Sequence, residues 1–208
     1  MKEVSYKISQ KYCQGATQAQ KDYQEALKLL PPDSTEALLV WDFSRVTVVT
    51  ASYLKGTVYL ALFCGMLNVR PEKKHIDAPA GARSLPLFTG VVECNDEVEE
   101  EINEFFAGKQ LGVLLFAKKA EESTGVARTL GAIDGALSRT LSVLSQLKSG
   151  TAADLAANSD ESISLNGWNN RLADLYDRRL VSRRRDGKFW IYSTLAERIK
   201  SGIRLHTR

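Results

Sequence analysis

Ser164-Leu165-Asn166-Gly167-Trp168-Asn169-Asn170-Arg171-Leu172-Ala173-Asp174-Leu175-Tyr176-Asp177 runs directly into Arg178-Arg179-Leu180-Val181-Ser182-Arg183-Arg184-Arg185-Asp186-Gly187-Lys188-Phe189-Trp190-Ile191-Tyr192. Leu165, Trp168, Leu172, Leu175 and Tyr176 recur at spacings of three and four, which predicts a helix with one apolar stripe. Ser164 is a suitable N-cap ahead of it. Asn166, Asn170, Asp174 and Asp177 fall on the far side, with Arg171 on the flank. Asp186-Gly187 is a two-residue turn signal, because a type I′ turn needs positive φ at both central positions. That turn pairs Arg185 with Lys188, Arg183 with Trp190 and Val181 with Tyr192 on one face of a hairpin, and Arg184 with Phe189 and Ser182 with Ile191 on the other. Four cations, Arg183, Arg184, Arg185 and Lys188, then surround the tip, and the aromatics lie nearer the strand bases.

Charge is concentrated in this segment. From Ser164 to Arg208 there are eleven Lys/Arg against four Asp/Glu, a local +7, while the 208-residue chain carries only +3. Such a concentration is the electrostatic footprint of a phosphate-backbone partner. Amides and a guanidinium near the first turns of a helix suit base edges and phosphates in a major groove. The plainer readings are a solvated helix face, a solvated basic surface, and an Arg183–Trp190 stack that is purely structural.

Upstream, Leu130, Ile133, Leu137, Leu141, Leu144 and Leu147 repeat with helical spacing, and Gly150 ends the run. Ala152 to Ala157 reads as a second short helix, and Asn158 to Ile163 as a turn longer than the usual three or four or so residues. The order of helix, turn, helix and basic hairpin resembles a winged helix-turn-helix over residues 127–208. The resemblance implies a mainly α domain with a β-hairpin wing that binds double-stranded DNA, expected as a homodimer because one helix and one wing read only a short half-site. It implies groove contacts by Asn166, Asn170 and Arg171, and backbone or minor-groove contacts by Arg183, Arg184, Arg185 and Lys188.

Residues 1–118 have a different character. Val4 to Ile8 alternates as a strand does, Thr17 to Leu30 is amphipathic and stops at Pro31-Pro32, and Ala37 to Trp41 is a continuous apolar run suited to a strand buried on both faces. Asp42-Phe43-Ser44-Arg45-Val46 follows, and Ser52 to Leu67 is apolar nearly all round, as in a buried helix. Val91 to Cys94 and Leu111 to Phe116 read as strands, with an acidic helix between them from Asp96 to Ala107. Seven carboxylates and no cation occupy Glu93 to Glu104, an acidic face that is either solvated or complementary to the basic hairpin in an off state. Alternating strands and helices predict an α/β fold with a mixed sheet. The strand ending in Asp-Phe-Ser, followed by a short Ser/Thr stretch opening an apolar helix, is similar to STAS domains, the fold of anti-sigma-factor antagonists. More closely it resembles the bacterial STAS-like domains of unassigned function. That resemblance implies a partner- or signal-binding domain whose regulatory hydroxyl corresponds to Ser52, with Thr50 nearby, or else a plain N-cap there. Lys119 to Val126 reads as the linker, residues 119–126, between the two domains.

Several classes are set aside. Cys13, Cys64 and Cys94 lie far apart with no paired spacing, which argues against a zinc cluster or disulfide framework. Met1 to Lys7 holds no signal-peptide core, and the longest apolar run, Gly56 to Leu67, is shorter than the ~20 residues a bilayer needs. A cytoplasmic protein with reduced thiols and no membrane association is expected. No phosphate-binding Gly-rich loop, HExxH or GxSxG occurs, and neither His75 nor His206 has an obvious nucleophile partner in sequence. Asp42 at a strand end is one carboxylate without a mechanism. Neither enzyme activity, cofactor nor metal is expected. Asn68 to Pro86, with three of the five prolines and Arg70, Lys73, Lys74 and His75, reads as a long loop. The expected function is a DNA-binding transcriptional regulator. The alternative is a protein- or RNA-interaction module, an accessory subunit of a multi-protein bacterial system such as phage defence, presenting Trp168, Phe189 and Trp190.

Overall fold

The computed structural model describes residues 1–31, 36–67, 86–116 and 128–196. The expected loop over 68–86, apart from its last residue, the linker over 119–126, and His206 lie outside them. The chain divides into two compact units, Met1–Ala132 and Ile133–Arg208.

The first unit is α/β. β1 (Lys2–Lys7), β3 (Ala37–Asp42), β5 (Leu87–Val92) and β6 (Gly112–Phe116) pair in parallel in the order of the sequence, and β7 (Arg128–Gly131) closes the edge antiparallel to β6. Between these strands lie β2 (Tyr12–Cys13), α1 (Ala16–Lys28), β4 (Val48–Val49), α2 (Ala51–Gly56), α3 (Val58–Leu67) and α4 (Asp96–Ala107), with β2 and β4 forming a two-residue parallel ladder. Parallel strands added one after another in the same direction, with crossovers of one hand, put their helices on one face. The core forms there: Tyr23 and Ala26 of α1, Leu54 of α2, Leu62 of α3 and Ile102 and Phe106 of α4 pack with Leu39, Trp41, Leu87 and Val91. The alternate residues Leu38, Val40 and Phe88 are buried as well, which is why β3 and β5 read as unbroken apolar runs.

Two elements differ from expectation. The apolar stretch after Ser52 is two helices, broken at Thr57, whose φ of −122° and ψ of −93° are not helical. Its uniform apolarity carries no period that would mark the break. Residues 128–131, which share helical spacing with Leu137, form an edge strand instead. Leu130 pairs with Val113, the Gly131 N–H donates to Asn103 Oδ1 at 2.8 Å, and Arg128 forms an ion pair with Glu99 of α4. The helix starts only at Gly135, where Asp134 accepts the Ala136 N–H at 2.7 Å.

The second unit contains α5 (Gly135–Leu147), β8 (Ser149–Gly150), α6 (Ala152–Ala157), α7 (Leu165–Asp177), β9 (Val181–Asp186) and β10 (Phe189–Thr194). The three strands form an antiparallel sheet in the order β8-β10-β9. Thr151 and Asp154 make a reciprocal capping box at α6. Leu137, Leu144, Leu155, Trp168, Leu172 and Leu175 are buried in this unit. Among the described residues no helix is long and apolar enough to cross a membrane.

Gly131 separates the strand assignment from the helical one. Its φ is +90°, and a Cβ there would press on the Leu111 carbonyl and Phe106. Gly131→Ala should therefore destabilise the protein by about 2 kcal/mol, measured by chemical denaturation. In a helix the same change would stabilise by about 0.5–1 kcal/mol, and that outcome would overturn the strand.

Candidate functional site

α7 is fixed at both ends. The Ser164 hydroxyl accepts the Gly167 N–H at 3.1 Å, as an N-cap should. At the other end the Leu180 N–H donates to the Leu175 carbonyl at 3.0 Å and the Arg179 N–H to the Tyr176 carbonyl at 2.9 Å, with Arg179 left-handed at φ +62°. This is a Schellman ending, closed by the buried pair Leu175 and Leu180, and it reverses the chain straight into β9. Trp168, Leu172, Leu175 and Tyr176 dock the inner face. Asn166, Asn169, Asn170 and Asp174 are exposed on the outer one, and Asp177 is half-buried there.

Among the described residues most of the local cations are engaged. Arg171, only 20% exposed, sets Nη1 2.5 Å from Glu161 Oε2, while Arg139 of α5 holds the other oxygen through Nε at 2.7 Å. Glu161 thereby ties α5, α7 and the segment between α6 and α7 together, and its two guanidinium hydrogen bonds hold its carboxyl below the usual range. Arg178 pairs with Asp174 at 3.1 Å. Arg179 is buried against the Tyr176 ring, 4.7 Å from its centroid, and burial pulls its pKa down. Arg183 lies between two rings, 4.0 Å from the Tyr176 centroid and 4.3 Å from that of Trp190. Arg184, Arg185 and Lys188 remain exposed at the hairpin tip. Arg185 donates from Nε to the Gly187 carbonyl at 3.3 Å, and Arg184 and Lys188 enter no ion pair among the described residues. Arg198, Lys200, Arg204 and Arg208, counted in the local charge, lie outside them.

The hairpin register differs from the sequence reading. Asp186 pairs with Phe189, Arg185 with Trp190, Arg184 with Ile191, Arg183 with Tyr192 and Val181 with Thr194. The central turn residues are Gly187 and Lys188, not Asp186 and Gly187. Gly187 has φ +56° and Lys188 is not among the positive-φ residues, the pattern of a II′ turn with glycine first. Because the shift moves each partner by two residues, the faces are unchanged. The aromatics, however, come to the tip: Phe189 is 68% exposed and Trp190 41%.

In the first unit the helix cap is Thr50, whose hydroxyl accepts the Tyr53 N–H at 3.4 Å and shares a 3.0 Å hydrogen bond with Ser52. Ser52 sits exposed two positions further in, at the second residue of α2, so it is not the cap. Asp42 accepts the Ser44 N–H at 2.8 Å and lies 3.9 Å from Lys7. A groove of about 260 Å³ between β4 and α4 is lined by Glu97, Glu100, Glu101 and Glu104 with Thr47, Val48 and Val49. Burial, with the Glu99 charge adding, pushes the Cys94 thiol up to about 12, and burial above all pushes Cys13 up to about 11. Neither is an activated thiolate at neutral pH. Among the described residues no group of three or more His, Cys, Asp or Glu is placed to hold a metal ion. Arg70, Lys73, Lys74 and His75 lie outside those residues.

The site thus brings together Arg184, Arg185 and Lys188 at the tip, with Asn166 and Asn170 on the outer face of α7. It holds Arg171 and Arg183 in internal contacts. Sequence reasoning passed over Asn169, although it stands three residues after Asn166, and placed Phe189 away from the tip because of the turn register.

Glu161 yields a pH test. A carboxyl whose folded pKa is depressed stabilises fully above its ordinary pKa and loses that contribution as pH falls through the folded value. Wild-type protein should therefore lose more thermal stability than Glu161→Gln between neutral pH and about pH 3. The variant should melt lower at neutral pH, with the gap narrowing in high salt. Equal acid limbs in the two proteins would remove Glu161 as the link.

No protein-family model matches this chain, and neither does any curated protein or solved structure.

Proposed function

We propose that residues 133–208 form a winged helix-turn-helix that binds double-stranded DNA, and that the protein is a transcriptional regulator acting as a homodimer. The observation that carries this reading is the hairpin tip, where Arg184, Arg185 and Lys188 stand exposed, whereas Arg171, Arg178, Arg179 and Arg183 have internal partners. The order of helix, short strand, helix, helix and hairpin, with the short strand completing the sheet, is that expected of a winged helix. In this reading the tip cations meet phosphates or the minor groove, Asn166, Asn169 and Asn170 face base edges, and Arg171 and Arg183 are positioning residues.

The N-terminal unit is read as STAS-like, binding a signal or a protein partner. Supporting this are the parallel strand–helix alternation, the Asp42-Phe43 strand end and the helix opening at Thr50. Exposed Ser52, beside Thr50, is then the regulatory hydroxyl. Phosphopeptide mapping of the native protein should find it modified, and consistently unmodified Ser52 and Thr50 would end that assignment.

A second reading has its own observation. Trp168, expected on that surface, is buried under α7, but Phe189 and Trp190 are exposed, with Leu165 exposed in the same unit, as in a module that docks protein or RNA within a larger system. Salt separates the two. DNA binding should fall steeply between about 50 and 200 mM salt, with a log–log slope near −0.9 per phosphate contact. Arg184→Ala/Arg185→Ala should weaken binding to every duplex and reduce that slope by about 2. Unchanged affinity and slope in the double variant would refute the wing.

A further inference from the structure

We propose that Phe189 is a base-stacking wedge, so that the protein prefers DNA containing a mismatched or unpaired base over intact duplex. This rests on the DNA-binding reading of the hairpin.

Phe189 is the most exposed large apolar side chain among the described residues. It follows the Gly187-Lys188 turn directly, and the residue opposite it is Asp186, which offers no apolar surface. Among the described residues no ring contact holds it. The hairpin therefore gains little packing from this side chain. Trp190, one residue on, is used differently: it stacks on Arg183 and braces the strands against Tyr176.

Lys188 precedes this phenyl ring in sequence, Arg184 stands diagonally across on the same face of the hairpin, and Arg185 lies on the other face of the same tip. A tip made for phosphates alone needs cations and has no use for an apolar ring. Once the cations bring the tip to the backbone, a ring at the same tip can leave water only by stacking on bases or entering a base step. Opening a stacked step is costly, least so where a base is already mismatched or unpaired. A cationic tip with a rigid base and a projecting phenyl therefore selects DNA at places where the stack is weak. The bracing of Arg183 keeps β9 and β10 ordered before binding, so less freedom is lost when the ring inserts.

The test uses the full-length chain and two duplexes identical except for one central mismatch, with 2-aminopurine beside it, compared by anisotropy and 2-aminopurine fluorescence over salt. Wild-type protein should bind the mismatched duplex about ten-fold more tightly, with a change in 2-aminopurine emission. Phe189→Ala should lose both the preference and the emission change while keeping its affinity and salt slope on intact duplex. Phe189→Trp should keep them. Equal affinity of the wild type for the two duplexes, or a preference that survives Phe189→Ala, would overturn the wedge and leave the DNA-binding reading standing. Binding to neither duplex at low salt would instead remove the DNA-binding reading, and the wedge with it.

Discussion

The guanidinium of Arg183 between the rings of Tyr176 and Trp190 is the contact on which the functional geometry depends. Tyr176 belongs to the last turn of α7 and Trp190 to β10, while Arg183 itself lies on β9. One side chain thus joins the helix to both strands of the hairpin. Each face of such a stack contributes about 0.5–1 kcal/mol where exposed and about 2 or more when desolvated, enough to favour one hairpin orientation over others. The Schellman ending of α7 works in the same direction, since it leaves no slack between Asp177 and the first residue of β9. A stacked guanidinium also keeps its in-plane N–H donors, so Arg183 can hold the hairpin while its edge faces outward.

With that contact made, the charge of the unit is distributed by elimination. Glu161 takes Arg139 and Arg171, Asp174 takes Arg178, and the Tyr176 ring covers Arg179. The outer face of α7 is left with amides at its start and carboxylates near its end, and no free cation between them. An approaching phosphate backbone would meet the carboxylates only toward the end of α7, where Arg178 offsets Asp174, whereas the helix N-terminus near Asn166 carries the favourable end of the dipole. In the proposed complex, α7 therefore enters by its first turn and contributes selectivity, and the salt-dependent affinity resides in the hairpin tip.

What could be read from the sequence follows from how local each signal is. The stripe from Trp168 to Tyr176 and the cap at Ser164 are set within four residues, and both elements are where the pattern puts them. The hairpin was equally visible, but its register was not. Asp186-Gly187 and Gly187-Lys188 are both acceptable two-residue turns, and the strands, not the turn, choose between them. The strand at Arg128–Gly131 was hidden by the helical spacing of Leu130 and Ile133, because its pairing partner β6 lies on the far side of residues 117–127. Side-chain partnerships were the least legible. Nothing near Arg171 in sequence shows that a carboxylate ten positions earlier claims it, and nothing local shows that Arg179 is buried while Arg184 is exposed.

The first unit has a comparable anchor in Asp22. This carboxylate is nearly inaccessible, and no cation among the described residues pairs with it; it accepts the Tyr6 hydroxyl at 3.0 Å, the Gln18 amide at 3.0 Å and the Tyr53 hydroxyl at 2.6 Å. A buried charge is tolerated only when its lone pairs are met, so the three donors must hold their places together. They come from β1, α1 and α2, and burial first, then Asp22, drives the Tyr53 pKa upward, which keeps that hydroxyl a donor. Tyr53 also gives its backbone N–H to the Thr50 cap, beside Ser52. The exposed hydroxyl pair is therefore one residue from a side chain that the core cannot release without stranding Asp22. A phosphate or partner acting at Ser52 would be felt first by the α2 cap and then by this buried cluster, whereas a change at the helix surface away from Tyr53 would have no such route inward.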